Sequence, residues 1–517
     1  MNKLDVLFVH PNASKKIYQD LSKGFSAIEP PIWAALLANH TRQRDYATRI
    51  LDCEAEGFSA EESATAIVDV DARLTVFVVY GQQPSASTQN MQGVHDILEI
   101  LDARGSQIKT LLTGLHPSAV SRFCMEQEKV DFVCQGEGPR TITALLEISN
   151  MGDVDQLKKV PGLWYRDDTA ARIDNGKICL DKESICFTAP APLIEQGELQ
   201  DELPGMAWDL LPMDKYRTSN WHAMSNNNDR APFASLYTSL GCPFKCSFCC
   251  INAPFGNNNL ENWDQKRNKF RYWDPDFIIS EFDKIHEMGI RNVKIADEMF
   301  VMNRNHFLKL CNNLIDREYN FNIWAYARID TVKEEYLEVL KRAGVNWLAL
   351  GIESGNKLVR KDVVKGKFTE VNICDLVQKI KDADINIIGN YIFGLPEDTV
   401  ETMQETLDMA IELNCEFANF YSTMAYPGSK LYLDALEQGW ELPQSYVGFS
   451  QHSCETKPLA TKYVSAAEVL RFRDNAFHAY YENESYLDFI KQKFGDETYR
   501  NIREMTKVKL KREILGD

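Results

Sequence analysis

No stretch of the 517 residues is long and apolar enough to span a bilayer. The longest apolar runs, such as Val76–Tyr80 and Ile387–Phe393, are strand-sized, whereas a membrane helix needs about 20 apolar residues. The opening MNKLDVLFVHPN lacks the apolar core and small-residue cleavage site of an export signal. Basic residues are in the minority, 57 against 75 acidic, a net charge of −18. That balance excludes a nucleic-acid binder relying on counterion release. No biased tract interrupts a composition that is 44% apolar and 11% aromatic, which excludes a disordered or fibrous chain. Thirteen cysteines, an odd number spread through a long chain, make no disulfide framework. A soluble, cytoplasmic protein of about three or four domains is expected.

Residues 1–150 alternate strand and helix patterns. Apolar strands are predicted at Asp5–His10, Ala47–Asp52, Thr75–Tyr80, Lys109–Thr113 and Asp131–Cys134. Amphipathic helices are predicted at 31–44, 59–70, 88–103 and 117–127, the second opened by the Ser59/Glu62 capping box. This is an α/β, doubly wound, Rossmann-like parallel sheet, with its ligand outside the carboxyl ends of the strands. The G-x-G-x-x-G dinucleotide fingerprint is missing after the first strand, as are paired phosphoacceptor aspartates. Residues 151–230 lose the alternation and read as a linker region. Between 231 and 430 six strands are predicted, at 235–240, 292–295, 320–326, 346–350, 386–393 and 416–421. Asp274-Pro275, Thr331 with Glu334, Gly289 and Gly344 mark helix ends between them. Six units are too few for a closed TIM barrel, so a partial (βα)6 barrel is expected. Residues 431–517 read as a mostly helical C-terminal region, in which Tyr446, Phe449, His452 and the aromatic run 477–481 read as a cap over the barrel mouth or as ordinary helical core.

The sharpest feature is Gly241-Cys-Pro-Phe-Lys-Cys-Ser-Phe-Cys-Cys250, just after the first barrel strand. Cys242, Cys246 and Cys249 form a C-x3-C-x2-C loop whose soft thiolates suit an iron–sulfur cluster or zinc. Zinc would want a fourth ligand and usually comes with paired C-x2-C knuckles, which are missing. Three thiolates can hold three irons of a [4Fe-4S] cube and leave the fourth open to a substrate or cofactor. Cys250 is a competing ligand whose adjacent spacing fits less well.

The loop, with Phe248 before its third cysteine, resembles the signature of radical S-adenosylmethionine (SAM) enzymes. Further matches follow in order along the barrel. Ala296-Asp297-Glu298 stands where that family has a Gly-Glu segment holding the methionine amino group, although the glycines are absent. Arg328 follows the third strand in Ala327-Arg-Ile-Asp330. Glu353 and Ser354 in Gly351-Ile-Glu-Ser-Gly355 resemble ribose and carboxylate contacts. Asn390-Tyr-Ile-Phe-Gly-Leu-Pro-Glu397 resembles the adenine segment G-x-I-x-G-x-x-E, keeping Ile392, Gly394 and Glu397 but not its first glycine. Each short match alone reads equally well as a turn or a surface pair. Six in order on consecutive strands, the last being Ala425-Tyr-Pro-Gly428 after the sixth strand, do not.

The N-terminal half resembles the cobalamin domain of cobalamin-binding radical SAM enzymes, through Pro30-Pro31, Gly114-Leu-His116-Pro117, Gly136-Glu137-Gly138, Pro161–Arg166 and Leu203-Pro204. Ser85, Ser87 and Thr88 read evenly as contacts to the cofactor's nucleotide tail or as a helix N-terminus. His116 is either a capping residue or a metal ligand. Many cobalamin domains carry D-x-H-x-x-G, in which the histidine ligates cobalt. Here the stretch Asp52-Cys-Glu-Ala-Glu-Gly57 has Glu54 in the histidine's place. The resemblance covers residues 1–430. It implies a [4Fe-4S] cluster, SAM, cobalamin and an external one-electron reductant such as flavodoxin or ferredoxin. It also implies C-methylation of a small molecule through a 5′-deoxyadenosyl radical and methylcobalamin. The rival readings are a radical cyclase, oxidoreductase or rearrangement enzyme with the same cofactors, and a non-catalytic corrinoid-binding or zinc-stabilised module. Cys53, Cys124, Cys134, Cys179 and Cys186 are too poorly spaced for the second cluster of a methylthiotransferase.

Overall fold

The computed structural model describes residues 3–81, 83, 85–167, 172–174, 177–179, 184–256, 269–363 and 371–517. The first sheet has five parallel strands, β1 (Val6–His10), β2 (Thr48–Asp52), β3 (Leu74–Val79), β4 (Thr110–Gly114) and β5 (Phe132–Cys134). Their order is β2-β1-β3-β4-β5. Strands β1 and β3 are buried at every position, as central strands covered by helices on both faces must be. Helices α1 (Ile32–Arg42), α2 (Ala60–Val70) and α3 (Ala86–Ala103) lie between them. At α2 both bonds of the Ser59/Glu62 capping box form.

Part of the expected linker region joins this sheet. Leu163–Arg166 (β6) and Ile185–Phe187 (β7) extend the sheet as antiparallel edge strands, with Trp164 and Tyr165 buried. A three-residue strand in a Pro/Gly-bounded segment carries too little periodicity to be read from sequence.

The second sheet contains β8 (Phe233–Leu236), β9 (Asn292–Ile295), β10 (Asn322–Arg328), β11 (Val345–Glu353), β12 (Asn386–Phe393) and β13 (Phe417–Ser422). They pair in sequence order, all parallel. Helices α4 (Pro275–Glu287), α5 (Arg304–Arg317), α6 (Glu334–Arg342), α7 (Ile373–Asp382) and α8 (Val400–Leu413) return the chain. The first and last strands do not pair, so the barrel is open on one side. Asp274 caps α4 with Pro275 at its first position, as expected. The Thr331 cap does not form. Helix α6 starts at Glu334 behind Lys333, and the Thr331 hydroxyl donates instead to the Arg328 carbonyl.

The C-terminal region supplies α9 (Ala466–Tyr481) and α10 (Glu484–Met505). Tyr480 and Tyr481 are buried, and the Tyr481 hydroxyl bonds both the amide and the carbonyl of Ala418 in β13. Tyr480 and Tyr481 are therefore core against the last barrel strand, whereas Phe477 and His478 of the same run are half-buried. Several contacts tie the N-terminal domain to the barrel. Trp33 of α1 stacks on Tyr80 and packs against Tyr237 and Phe255. Glu137 forms a buried ion pair with Arg271 at 2.5 Å. Among the described residues no helix is long and apolar enough to cross a membrane.

Candidate active site

The cysteine loop leaves a short antiparallel pair, Ser239–Leu240 with Arg271–Tyr272. Gly241 follows at φ +79°, where a Cβ would strike the Lys269 carbonyl, so only glycine makes this turn. Asn252 braces the loop, accepting from the Cys242 amide at 3.2 Å and donating to its carbonyl at 3.0 Å. Cys242, Cys246 and Cys249 then line one cavity of about 260 Å³ at the carboxyl end of the barrel. Burial pushes the Cys242 thiol up to about 12 and that of Cys246 up to about 11. Among the described residues no three His, Cys, Asp or Glu side chains come together as a single metal ion would require. Cys250 is in the same cavity wall.

Strand alternation builds the rest of the wall. Register places Arg328, Gly351, Asn390 and Asn419 in one layer across β10 to β13. The first three line the cluster cavity with Glu298, Glu353, Ile392, Phe248 and Ser85. Arg328 is held by Asp330 through two bonds of 2.5 Å and lies 3.5 Å over the Phe244 ring. Glu353 has φ +66° at a register shift in β11, a bulge that re-aims its side chain. Burial raises Glu353 to about 7, opposed by Arg328. Burial likewise raises Glu298 to about 8, with Lys294 opposing and Asp297 adding. One cation and two buried carboxylates thus face the thiols, a donor and acceptor set matched to an amino acid's two termini.

Other predicted contacts lie elsewhere, and each has a structural occupation. Asp297 accepts from the Thr238 amide and the Thr238 and Ser239 hydroxyls, fixing the base of the cysteine loop. Ser354 is buried against Thr406 and caps Asn356. Gly394 turns at φ +78° where a Cβ would strike Val469 of α9. Glu397 pairs with Lys462 near the surface. Ser87 donates to the Val79 carbonyl and accepts from the His116 amide at 3.0 Å, locking the end of β3 to the turn after β4. Gly114, at φ +146°, packs on Val79, and the Gly136 amide and carbonyl both bond Ser118. Glu137 is taken by Arg271 and the Ile194 amide. His116 is buried, with Thr88 on Nδ1 at 3.1 Å and no partner on Nε2. Gln82 and Pro84 of the loop after β3 lie outside the described residues.

A second cavity, of about 480 Å³, fills the open side of the barrel. Its walls come from the N-terminal strand ends (Glu54, Gln83, Ala86), the barrel (Lys294, Trp324, Phe417) and α9 and α10. The two cavities meet at Gln83, Tyr326, Ala349 and Tyr421. Glu54 stands in this wall and pairs with buried His10, 3.5 Å from its Nε2. Lys294 pairs with Glu29 at 2.8 Å. Sequence reading missed Tyr326 and Tyr421, although the two-residue period through Trp324, Tyr326 and Arg328 points Tyr326 to the lumen face.

The chain matches the radical SAM superfamily over residues 236–410 and the B12 binding domain over residues 24–146. It is 24% identical over 454 residues to an uncharacterised methyltransferase of Pyrococcus horikoshii, covering 87% of this chain and 88% of that one. It is 23% identical to the anaerobic magnesium-protoporphyrin IX monomethyl ester cyclase of Cereibacter sphaeroides, over 92% of this chain and 70% of the relative. Its fold is that of the radical SAM methyltransferase TsrM from Kitasatospora setae, solved with cobalamin and a [4Fe-4S] cluster. That likeness has TM-score 0.62 and 14% identity, and covers 98% of this chain and all of that one. The cobalamin-dependent radical SAM enzyme OxsB is similar at TM-score 0.64 and 14% identity, over 98% and 71%. With the three thiols at one cavity wall and an α/β domain against the barrel's open side, the chain carries a radical SAM domain over residues 236–410 and an N-terminal B12-binding domain over residues 24–146.

Proposed function

We propose that this enzyme transfers a methyl group to carbon in a small molecule, with the acceptor in the larger cavity. The observation that carries the reading is the junction of two cavities, one bearing the cluster thiols and one bounded by the B12-binding domain's strand ends. When bound, the cluster with SAM supplies a hydrogen-abstracting radical, and cobalamin supplies the methyl group. Cys242, Cys246 and Cys249 hold the cluster. Glu298 and Glu353 receive the ammonium and hydroxyl donors of SAM, Arg328 its carboxylate, and Ile392 with Phe248 the apolar face of its nucleoside. Glu54 and Gln83, in the wall of the larger cavity, would meet amide groups of the corrin when it is bound. The buried walls exclude water from the meeting point at Tyr326 and Tyr421, as radical chemistry requires.

The cyclase relative favours a second reading, ring formation or oxidation with the same cofactors. Product mass separates the two. Incubation of the reconstituted enzyme with a metabolite extract and methyl-deuterated SAM should give a product one labelled methyl heavier than its precursor. A product lighter by hydrogen, without label, would establish the second reading.

A further inference from the structure

The larger cavity has one charged side chain whose neighbours do not account for it. Arg473 of α9 is 7% exposed and lines that cavity. Its Nε donates to the Phe420 carbonyl at 2.7 Å and its Nη1 to Asp474 at 2.8 Å. Among the described residues Nη2 makes no hydrogen bond. Asp474 does not balance it alone, because both Asp474 oxygens also receive Arg512 at 2.9 Å. Arg512 is 1% exposed and otherwise bonds Gln451, Ser453 and Thr456.

Two buried guanidiniums therefore share one carboxylate. His452, in the same wall, adds no charge: burial, then Arg473 and Arg512, push it down to about 3. The cavity's other carboxylates are committed, Glu29 to Lys294 and Glu54 to His10. Lys509 at the rim adds a further exposed cation. A buried cation surplus is costly unless an anion meets it. A guanidinium held at two nitrogens with one edge free is built for a carboxylate or phosphate. The same cavity is also lined by Trp221, Trp324 and Phe417, whose rings pack edge-to-face and tilted as an aromatic cluster. The volume, about 480 Å³, is that of a small-molecule site.

We propose that Arg473 anchors an anionic group, carboxylate or phosphate monoester, on a small substrate whose apolar body lies against Trp221, Trp324 and Phe417. The inference rests on the reading that this cavity holds the acceptor.

Calorimetric titration of the reconstituted holoenzyme with 2-naphthoate, 2-naphthyl phosphate and the neutral 2-naphthalenemethanol tests it. At least one anion should bind about tenfold or more tightly than the alcohol, and the better anion identifies the source. Arg473→Met and the surface variant Lys509→Glu should each weaken that anion and leave the alcohol unchanged. Equal binding of anion and alcohol, no anion binding, or a silent Lys509→Glu would overturn the proposal. So would equal loss of both probes in a folded Arg473→Met. Because the cluster and cobalamin spectra are recorded on the same samples, intact spectra with no anion preference refute this inference alone. Missing spectra refute the proposed function.

Discussion

Glu137 lies in a segment resembling a cobalamin contact, yet the structure gives it to Arg271, and the two roles separate by mutation. Both side chains are almost fully buried, at 4% and 2% exposure, and meet at 2.5 Å. Glu137 also accepts the Ile194 amide at 2.7 Å, and Arg271 donates to the Ile194 carbonyl at 2.6 Å. Glu137→Gln leaves the Arg271 charge buried without its counterion, which costs about 3–5 kcal/mol. Because Arg271 belongs to the strand clamping the cysteine loop, the loss should appear in the loop as well as at the domain junction. The double variant Glu137→Leu with Arg271→Met removes both charges. It should recover stability to within about 1–2 kcal/mol of the parent, the remainder being the Ile194 amide left without an acceptor. Urea unfolding followed by tryptophan fluorescence measures the three stabilities, and cobalamin titration of the folded fraction measures affinity. The single variant should lose stability and keep its cobalamin affinity. Unchanged stability with weakened cobalamin binding would refute the structural assignment.

Three further outcomes are expected. Alanine at Cys242, Cys246 or Cys249 should abolish the cluster's charge-transfer absorption, whereas Cys250→Ala should spare it; the reverse pattern at 249 and 250 would overturn the ligand assignment. Burial holds the neutral form of His40 in the fold and lowers its pKa to about 4. The unfolded chain therefore binds the extra proton first, and stability falls as pH drops from about 6.5 towards 4. His40→Gln should flatten that slope by up to about 1.4 kcal/mol per pH unit, and an unchanged slope in acid-range urea titrations would contradict it. Electron paramagnetic resonance of the bound cobalt(II) form should show no axial-nitrogen superhyperfine splitting, because Glu54 occupies the cavity wall in front of His10. A nitrogen splitting would point to His10 or His116.

The barrel was legible because each of its strands is an apolar run bounded by turn residues, and because Asp274-Pro275 marks a helix start by chemistry that acts locally. The cluster loop was legible for the same reason, its three cysteines lying within eight residues. Motif matching could not tell which of two neighbours faces the lumen. Glu298 lines the cavity while Asp297 clamps the loop, and Glu353 lines it while Ser354 caps a turn. That choice depends on strand phase and on the bulge in β11, neither of which a residue pattern encodes. The larger cavity left no local signal. Its walls come from residues near 18, 54, 83, 294, 324, 417, 473 and 509, and only the packing of α9 and α10 on the open barrel edge brings them together.

The central claim is that one chain joins cluster-based radical generation to cobalamin chemistry. Anaerobic reconstitution with iron, sulfide and hydroxocobalamin, followed by SAM and a one-electron reductant, tests it most directly. The account predicts one [4Fe-4S] cluster and one cobalamin per chain, with 5′-deoxyadenosine formed only when Cys242, Cys246 and Cys249 are intact. A chain that binds zinc in place of the cluster, or forms no 5′-deoxyadenosine with both cofactors loaded, would contradict it.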